Sequence, residues 1–231
     1  YAAQGLSISS RDLEGNLILS EAYFQQGNYQ EAYAQLLSIK YLYPRNRDLL
    51  VLTGKVMSER NQHEDAITAL MQAKENGASS GDLFYYLARS LYALDRFADA
   101  EKYFQMALYK DRGDTRSMKG LAETEFMRRN YDKSLEDWRK AERLAPDDME
   151  IQLGIAMVLI NTRRPEAAVT VLRQIAGRSD SPPRTLYYLG HALMRTGDKS
   201  GAKEAFLEFR DTWEGDRALI REVDEILITL E

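Results

Sequence analysis

A small residue returns six times at a fixed interval of 34 positions, at Ala32, Ala66, Ala100, Ser134, Ala168 and Ala202, with no insertion or deletion between copies. A period of this length means that each unit is one supersecondary element that cannot bury its apolar face alone, so neighbouring units must stack into a continuous array. Four residues after each small residue stands a large apolar one: Leu36, Leu70, Phe104, Trp138, Leu172 and Phe206. Three further on come Ile39, Ala73, Ala107, Ala141, Ile175 and Phe209. The i, i+4, i+7 stripe is that of a helix with one buried face. The first half of each unit carries a second column, Leu19, Thr53, Leu87, Leu121, Ile155 and Leu189, followed at once by Ser20, Gly54, Ala88, Ala122, Ala156 and Gly190. Small side chains there let two helices approach closely. Turn signals separate the halves at Gly27-Asn28, Arg60-Asn61, Asn130 and Gly197-Asp198, and Pro165 suits the first turn of a helix. Asn28 with Glu31, Asn61 with Glu64 and Asp147 with Glu150 have the spacing of helix-start capping pairs. Each unit therefore reads as helix, turn, helix.

The length of 231 residues is long for one compact domain, but that prior does not apply to a stacked array. With 44% apolar and 29% charged residues and only five Pro, the chain can bury a continuous core and is expected to fold. A net charge of −5 matches neither the polyphosphate of nucleic acid nor an anionic membrane surface. No apolar run approaches the roughly 20 residues that cross a bilayer, so no direct membrane insertion is expected. The absence of Cys excludes disulfides, thiolate metal sites and Cys nucleophiles, and leaves cytoplasm and periplasm equally open. The chain opens on Tyr1, and a signal or lipid anchor upstream of it would lie outside this sequence.

These columns resemble the tetratricopeptide repeat over residues 13–216, in units 13–46, 47–80, 81–114, 115–148, 149–182 and 183–216. The first unit carries Leu19-Ser20, Tyr23, Gly27, Tyr29, Ala32 and Pro44; the fourth carries Leu121-Ala122, Tyr131, Trp138, Ala141 and Pro146. Departures are Thr53 in a large apolar column, Glu125 in a column of Tyr, Met and Leu, and Arg112 and Glu214 where Pro is usual. The resemblance implies an all-α fold, a right-handed α-solenoid of helix-turn-helix repeats. Residues 217–231 set Leu219, Val223, Ile226, Leu227 and Leu230 on one helical face, mostly opposite Arg221, Glu222, Asp224 and Glu225, as a C-terminal capping helix would. Residues 1–12 read as a leader segment, expected to be partly disordered.

Catalysis has no candidate site in this sequence. The two histidines, His63 and His191, fall in the second and sixth units, too far apart to share a metal or a proton. There is no Gly-rich phosphate loop, H-E-x-x-H or Gly-x-Ser-x-Gly. No enzyme activity, cofactor or metal is expected. Glu125, the one charge in a core-type column, must either tilt to solvent or find a cation, because burying an unpaired carboxylate costs several kcal/mol.

By the resemblance, a concave face is lined by the first helix of each unit, at its second, fifth, ninth, twelfth and thirteenth positions. The fifth holds Leu17, Val51, Tyr85, Lys119, Leu153 and Tyr187, and the twelfth Phe24, Ser58, Tyr92, Phe126, Ile160 and Met194. Candidate partner contacts are Leu17, Phe24, Tyr85, Arg89, Tyr92, Phe126, Met127, Met157, Tyr187, His191, Met194 and Arg195. Aromatic residues at these positions serve packing as well as binding, and both readings stand. Glu14, Glu21, Asp48, Glu59 and Asp82 crowd the first half of the face, while Arg184, His191 and Arg195 belong to the last unit. The carboxylate clamp known in the family is absent, since Leu17, Glu21, Leu52, Asp82 and Tyr86 occupy its places. A largely apolar face suits an extended peptide or an amphipathic helix of a partner protein. The expected function is a non-catalytic scaffold or adaptor, with bacterial secretion or pilus assembly as one setting; the alternative is the docking segment of a larger enzyme. The oligomeric state is open. A separate ridge on the turns, Arg60, Arg96, Arg128, Arg129, Arg163 and Arg164, reads either as a solvated edge or as an anion or partner contact.

Overall fold

A computed structural model describes residues 12–230, so the expected leader, apart from Asp12, falls outside the described residues. Among these there are thirteen helices and no strand. In chain order they are α1 (Leu13–Gln25), α2 (Tyr29–Lys40), α3 (Arg47–Glu59), α4 (His63–Glu75), α5 (Gly81–Ala93), α6 (Phe97–Lys110), α7 (Thr115–Met127), α8 (Tyr131–Leu144), α9 (Met149–Asn161), α10 (Pro165–Ala176), α11 (Arg184–Thr196), α12 (Lys199–Thr212) and α13 (Arg217–Thr229). They form two compact units, one up to Thr124 and one from Glu125.

The turn inside each helical hairpin is closed in the same way six times. One residue adopts the left-handed conformation, at Gly27 (φ 75°), Asn61 (φ 58°), Asp95 (φ 57°), Arg129 (φ 62°), Arg163 (φ 57°) and Gly197 (φ 84°). The next backbone N–H then reaches back five residues. Asn28 donates to the Tyr23 carbonyl at 2.9 Å, Gln62 to Met57 at 2.9 Å, Arg96 to Leu91 at 2.9 Å, Asn130 to Glu125 at 2.9 Å, Arg164 to Leu159 at 3.2 Å and Asp198 to Leu193 at 3.0 Å. This bond satisfies a carbonyl that the helix end leaves orphaned. It also corrects the expected capping pairs. Asn61 is the left-handed residue that ends α3, which bars it from the extended backbone of a helix start, and α4 begins after Gln62. Asn28 stands at the cap of α2 without a side-chain bond to it, and at α9 the cap is Asp148, whose Oδ1 accepts from Glu150 N at 2.9 Å, and not Asp147. Asn46 and Ser80 cap α3 and α5 by accepting from Leu49 N at 2.9 Å and Leu83 N at 3.2 Å.

In the first unit Ala32, Ala66 and Ala100 are fully buried, and Leu36, Leu70 and Phe104 fill the space beside them. Phe104 lies against the backbone of Gly120, where any Cβ would collide with its ring. Thr53 is buried in its large apolar column because its hydroxyl donates to the Leu49 carbonyl at 2.7 Å, leaving no unpaired polar atom. In the second unit Ser134, Ala168 and Ala202 are fully buried beside Trp138, Leu172 and Phe206. The Trp138 indole occupies the space that a Cβ on Gly154 would need. Helix α13 packs on α12, buries Val223 and Leu227, and adds an ion pair from Arg210 to Asp224 at 3.6 Å.

Gly154→Ala tests the Trp138 contact. Better helix propensity returns about 1 kcal/mol, overpacking against the indole removes about 1–3 kcal/mol, and a net loss is expected in urea unfolding. At the turns, Arg163→Gly relieves a conformation that costs an L-residue about 1–2 kcal/mol, against a smaller entropic loss for glycine. A higher melting temperature is the expected outcome, and an unchanged one would contradict the left-handed assignment.

Candidate functional site

In the first unit the first helices of successive hairpins touch, α1 with α3 and α3 with α5, whereas α2, α4 and α6 make no such contact with one another among the described residues. The first-helix side is therefore the tighter, inner face. Small hydroxyls hold it close: Ser90 Oγ donates to Ser58 Oγ at 3.1 Å, both fully buried. Across this face runs a ladder of opposite charges. The Lys55 ammonium lies 3.3 Å from Glu21 on α1 and 3.3 Å from Asp82 on α5, and sits over the rings of Phe24 (4.9 Å) and Tyr86 (5.8 Å). Its stem is buried; only the paired head nears the surface. The Arg116 guanidinium continues the ladder, 3.0 Å from Asp82 and 3.0 Å from Asp114, over the Tyr85 ring at 4.7 Å. Arg89 pairs with Glu59. Burial pushes the Asp82 carboxyl up, but Arg116 and Lys55 together more than offset it and hold it below the usual carboxylate range. Beside the ladder, a hollow of about 650 Å³ is lined by Leu17, Glu21, Asp48, Val51 and Lys55 and by the 77–80 loop.

The candidate contacts of this unit separate into two kinds. Leu17, Tyr85 and Tyr92 are partly exposed on the inner face. Tyr85 packs edge-on to Tyr86 and Tyr92 edge-on to Phe97, and the Tyr92 hydroxyl is pushed up to about 12 by burial and by Glu123 and Asp95. Phe24, by contrast, is core, covered by Lys55, and Arg89 is committed to Glu59. The ladder itself is what sequence reasoning missed. Glu21 and Lys55, and Asp82 and Arg116, are each one period apart, and opposite charges at that offset are its signature.

In the second unit, Phe126 packs edge-on to Tyr131 at the end of α7, Met127 beside it is 48% exposed, and Met157 on α9 is partly exposed. On α11 the Tyr187 hydroxyl donates to Glu222 of α13 at 2.8 Å. His191 stacks edge-on between Tyr187 and Phe206, with Nε2 3.8 Å from the same carboxylate. Burial lowers the His191 pKa; Glu222 works against this and Arg195 with it. Met194 and Arg195 are exposed at the end of α11, while Arg184 lies over the Trp213 ring at 5.5 Å. Glu125 is 1% exposed and has found cations: Lys133 at 3.7 Å and Arg128 at 3.9 Å, with the Asn130 amide donating to Oε2 at 2.6 Å. It fastens the α7–α8 turn. No group of three metal-ligating side chains occurs among the described residues, and none of their helices is long and apolar enough to cross a membrane.

A sequence model of the tetratricopeptide repeat matches residues 53–115 and 120–183. The BBSome complex member BBS4 homolog of Drosophila melanogaster is 22% identical over 191 residues, 77% of this chain, which spans 39% of that protein's length. Among solved structures, pilF of Pseudomonas aeruginosa superposes with a TM-score of 0.73 at 17% identity, covering 92% of this chain and 96% of the other. YrrB, described as a tetratricopeptide protein with an unusual peptide-binding site, gives a TM-score of 0.61 at 17% identity, covering 84% and 91%. At these identities the two structures establish the fold alone.

Two substitutions test the geometry of the faces. Lys55→Ala removes the ladder's central cation and the packing over Phe24 and Tyr86, and is expected to cost about 2–4 kcal/mol in denaturant unfolding. His191 is held below its ordinary value of 6.5, so its contribution to stability is complete above 6.5 and is lost as pH falls from there through the lowered native value. Unfolding midpoints should therefore drop from pH 7.5 to pH 5, and drop less in His191→Gln. His63, also lowered by burial, accounts for part of the remaining slope.

Proposed function

The chain belongs to the tetratricopeptide repeat family, whose members bind peptides or proteins and are generally non-catalytic scaffolds. From that premise we propose that it is a protein-binding scaffold that holds an extended peptide or amphipathic helix of a partner against its inner faces. One observation carries the reading. The central charges of the first unit's inner face are paired with one another, in the Glu21–Lys55–Asp82–Arg116 ladder, while Leu17, Tyr85 and Tyr92 stay partly exposed among them. A partner's apolar side chains can cover such a face without stranding an unpaired charge, which removes the largest penalty of burying it. In the second unit Phe126, Met127, Met157 and Met194 offer apolar surface of the adaptable kind that grips varied ligands, and Tyr187, His191 and Arg195 supply its polar margin.

The test begins with a partner captured from the native source and identified by mass spectrometry, then titrated by calorimetry against variants. Alanine at Tyr92 or at Phe126 is expected to weaken binding by about 2 kcal/mol or more, as buried aromatic anchors do, with folding retained. Arg195→Ala should alter mainly the association rate and its salt dependence. Full affinity in both aromatic variants would remove the inner faces as the site.

A further inference from the structure

We propose that the edge of the second unit where α7 turns into α8 and α9 into α10 is a docking surface for an acidic amphipathic segment of a partner protein, distinct from the inner face. The six left-handed turn positions hold Gly, Asn, Asp, Arg, Arg and Gly in chain order. Gly adopts this conformation freely, and Asn and Asp are the L-residues that tolerate it best. The arginines at 129 and 163 have neither property, so the turn itself does not call for them. Backbone held in an unfavourable region is a pointer to a role elsewhere. Their side chains give no structural return either. Arg129, Arg163 and the adjacent Arg164 are exposed and make no ion pair among the described residues, whereas Arg96 pairs with Asp99 at 2.7 Å and Arg60 stacks on Tyr33 at 4.1 Å on the turns of the first unit.

Beside Arg164 lies a place for apolar side chains. A hollow of about 520 Å³ between α8 and α10 has Leu135, Leu159 and Val171 on its walls and Arg164 at its rim. Asp132 and Glu136 also line it, but Glu136 is held by Lys140 at 2.9 Å, and Arg139 by Glu142 at 2.7 Å. Among the unpaired charges at the turn edge Arg129, Arg163 and Arg164 outnumber Asp132 and Glu166, so the edge is net positive in a protein whose net charge is −5. Charge complementarity selects an acidic occupant, and the apolar hollow selects one with an apolar stripe. Three guanidinium groups interrupted by Asp132 and Glu166 are too few to reward a polyphosphate backbone.

The probe is a labelled 16-residue synthetic peptide with leucines on one helical face and glutamates on the other, followed by fluorescence anisotropy at low and physiological salt. Arg129→Gly with Arg163→Gly removes two cations while easing the backbone, so loss of binding cannot be ascribed to unfolding; circular dichroism melts verify this. Affinity is expected to fall about tenfold in that double variant and to fall with added salt in the parent. A leucine–lysine counterpart should bind far more weakly. Equal affinity of the double variant, equal binding of the lysine peptide, displacement by a 20-nucleotide single-stranded RNA at matched concentration, or loss of binding only in Tyr92→Ala would each overturn the proposal.

Discussion

Two helices approach most closely where one of them presents almost no side chain, and every hairpin of this protein carries such a place. Six fully buried small residues one period apart set the depth of approach, and the large residue four positions later fills whatever space remains. Where the filler is Leu70, the opposing Gly54 accepts a branched aliphatic chain; where it is Trp138, the whole indole passes under Gly154. The fillers differ in size, and at four of them, Leu70, Phe104, Trp138 and Phe206, the backbone opposite makes room by carrying no Cβ. Close-packed crossings of this kind bring the first helices into contact within each unit, and that contact places Glu21, Lys55 and Asp82 within reach of one another.

The fold was therefore legible from the sequence to the extent that it depends on side-chain volume. Columns of small and large residues repeat because sterics repeat, and the helix pairs follow from them. Helix ends were read less well. Asn61 and Asp147 have the right chemistry for helix starts, but the register of each start is set by how the preceding helix closes, and the left-handed residue takes the place that propensity alone would give to a cap. Because Arg, Asn and Asp stand at that position as well as Gly, composition did not mark it.

The site was legible in outline and not in its electrostatics. Listing charges along the face gave an acidic half and a basic end, yet what matters is which charge meets which. Lys55 was not singled out, since a lysine within a helix is ordinarily a solvated residue; its burial comes from two aromatic rings and two carboxylates supplied by neighbouring helices, a tertiary fact. Phe24 counted as an exposed contact by position alone is core for the same reason. Glu125 shows the converse: a carboxylate in an apolar column is tolerated once Asn130, Lys133 and Arg128 converge on it from its own turn and the helix that follows.

Lys55 joins three consecutive hairpins of the first unit through a single atom, since its ammonium touches carboxylates on α1 and α5 while its backbone belongs to α3. In mechanical terms it is a strut. Sliding or fanning α1 and α5 relative to α3 parts a charge pair on one side or the other. The three hairpins are thereby cross-braced, one pin holding both joints at once.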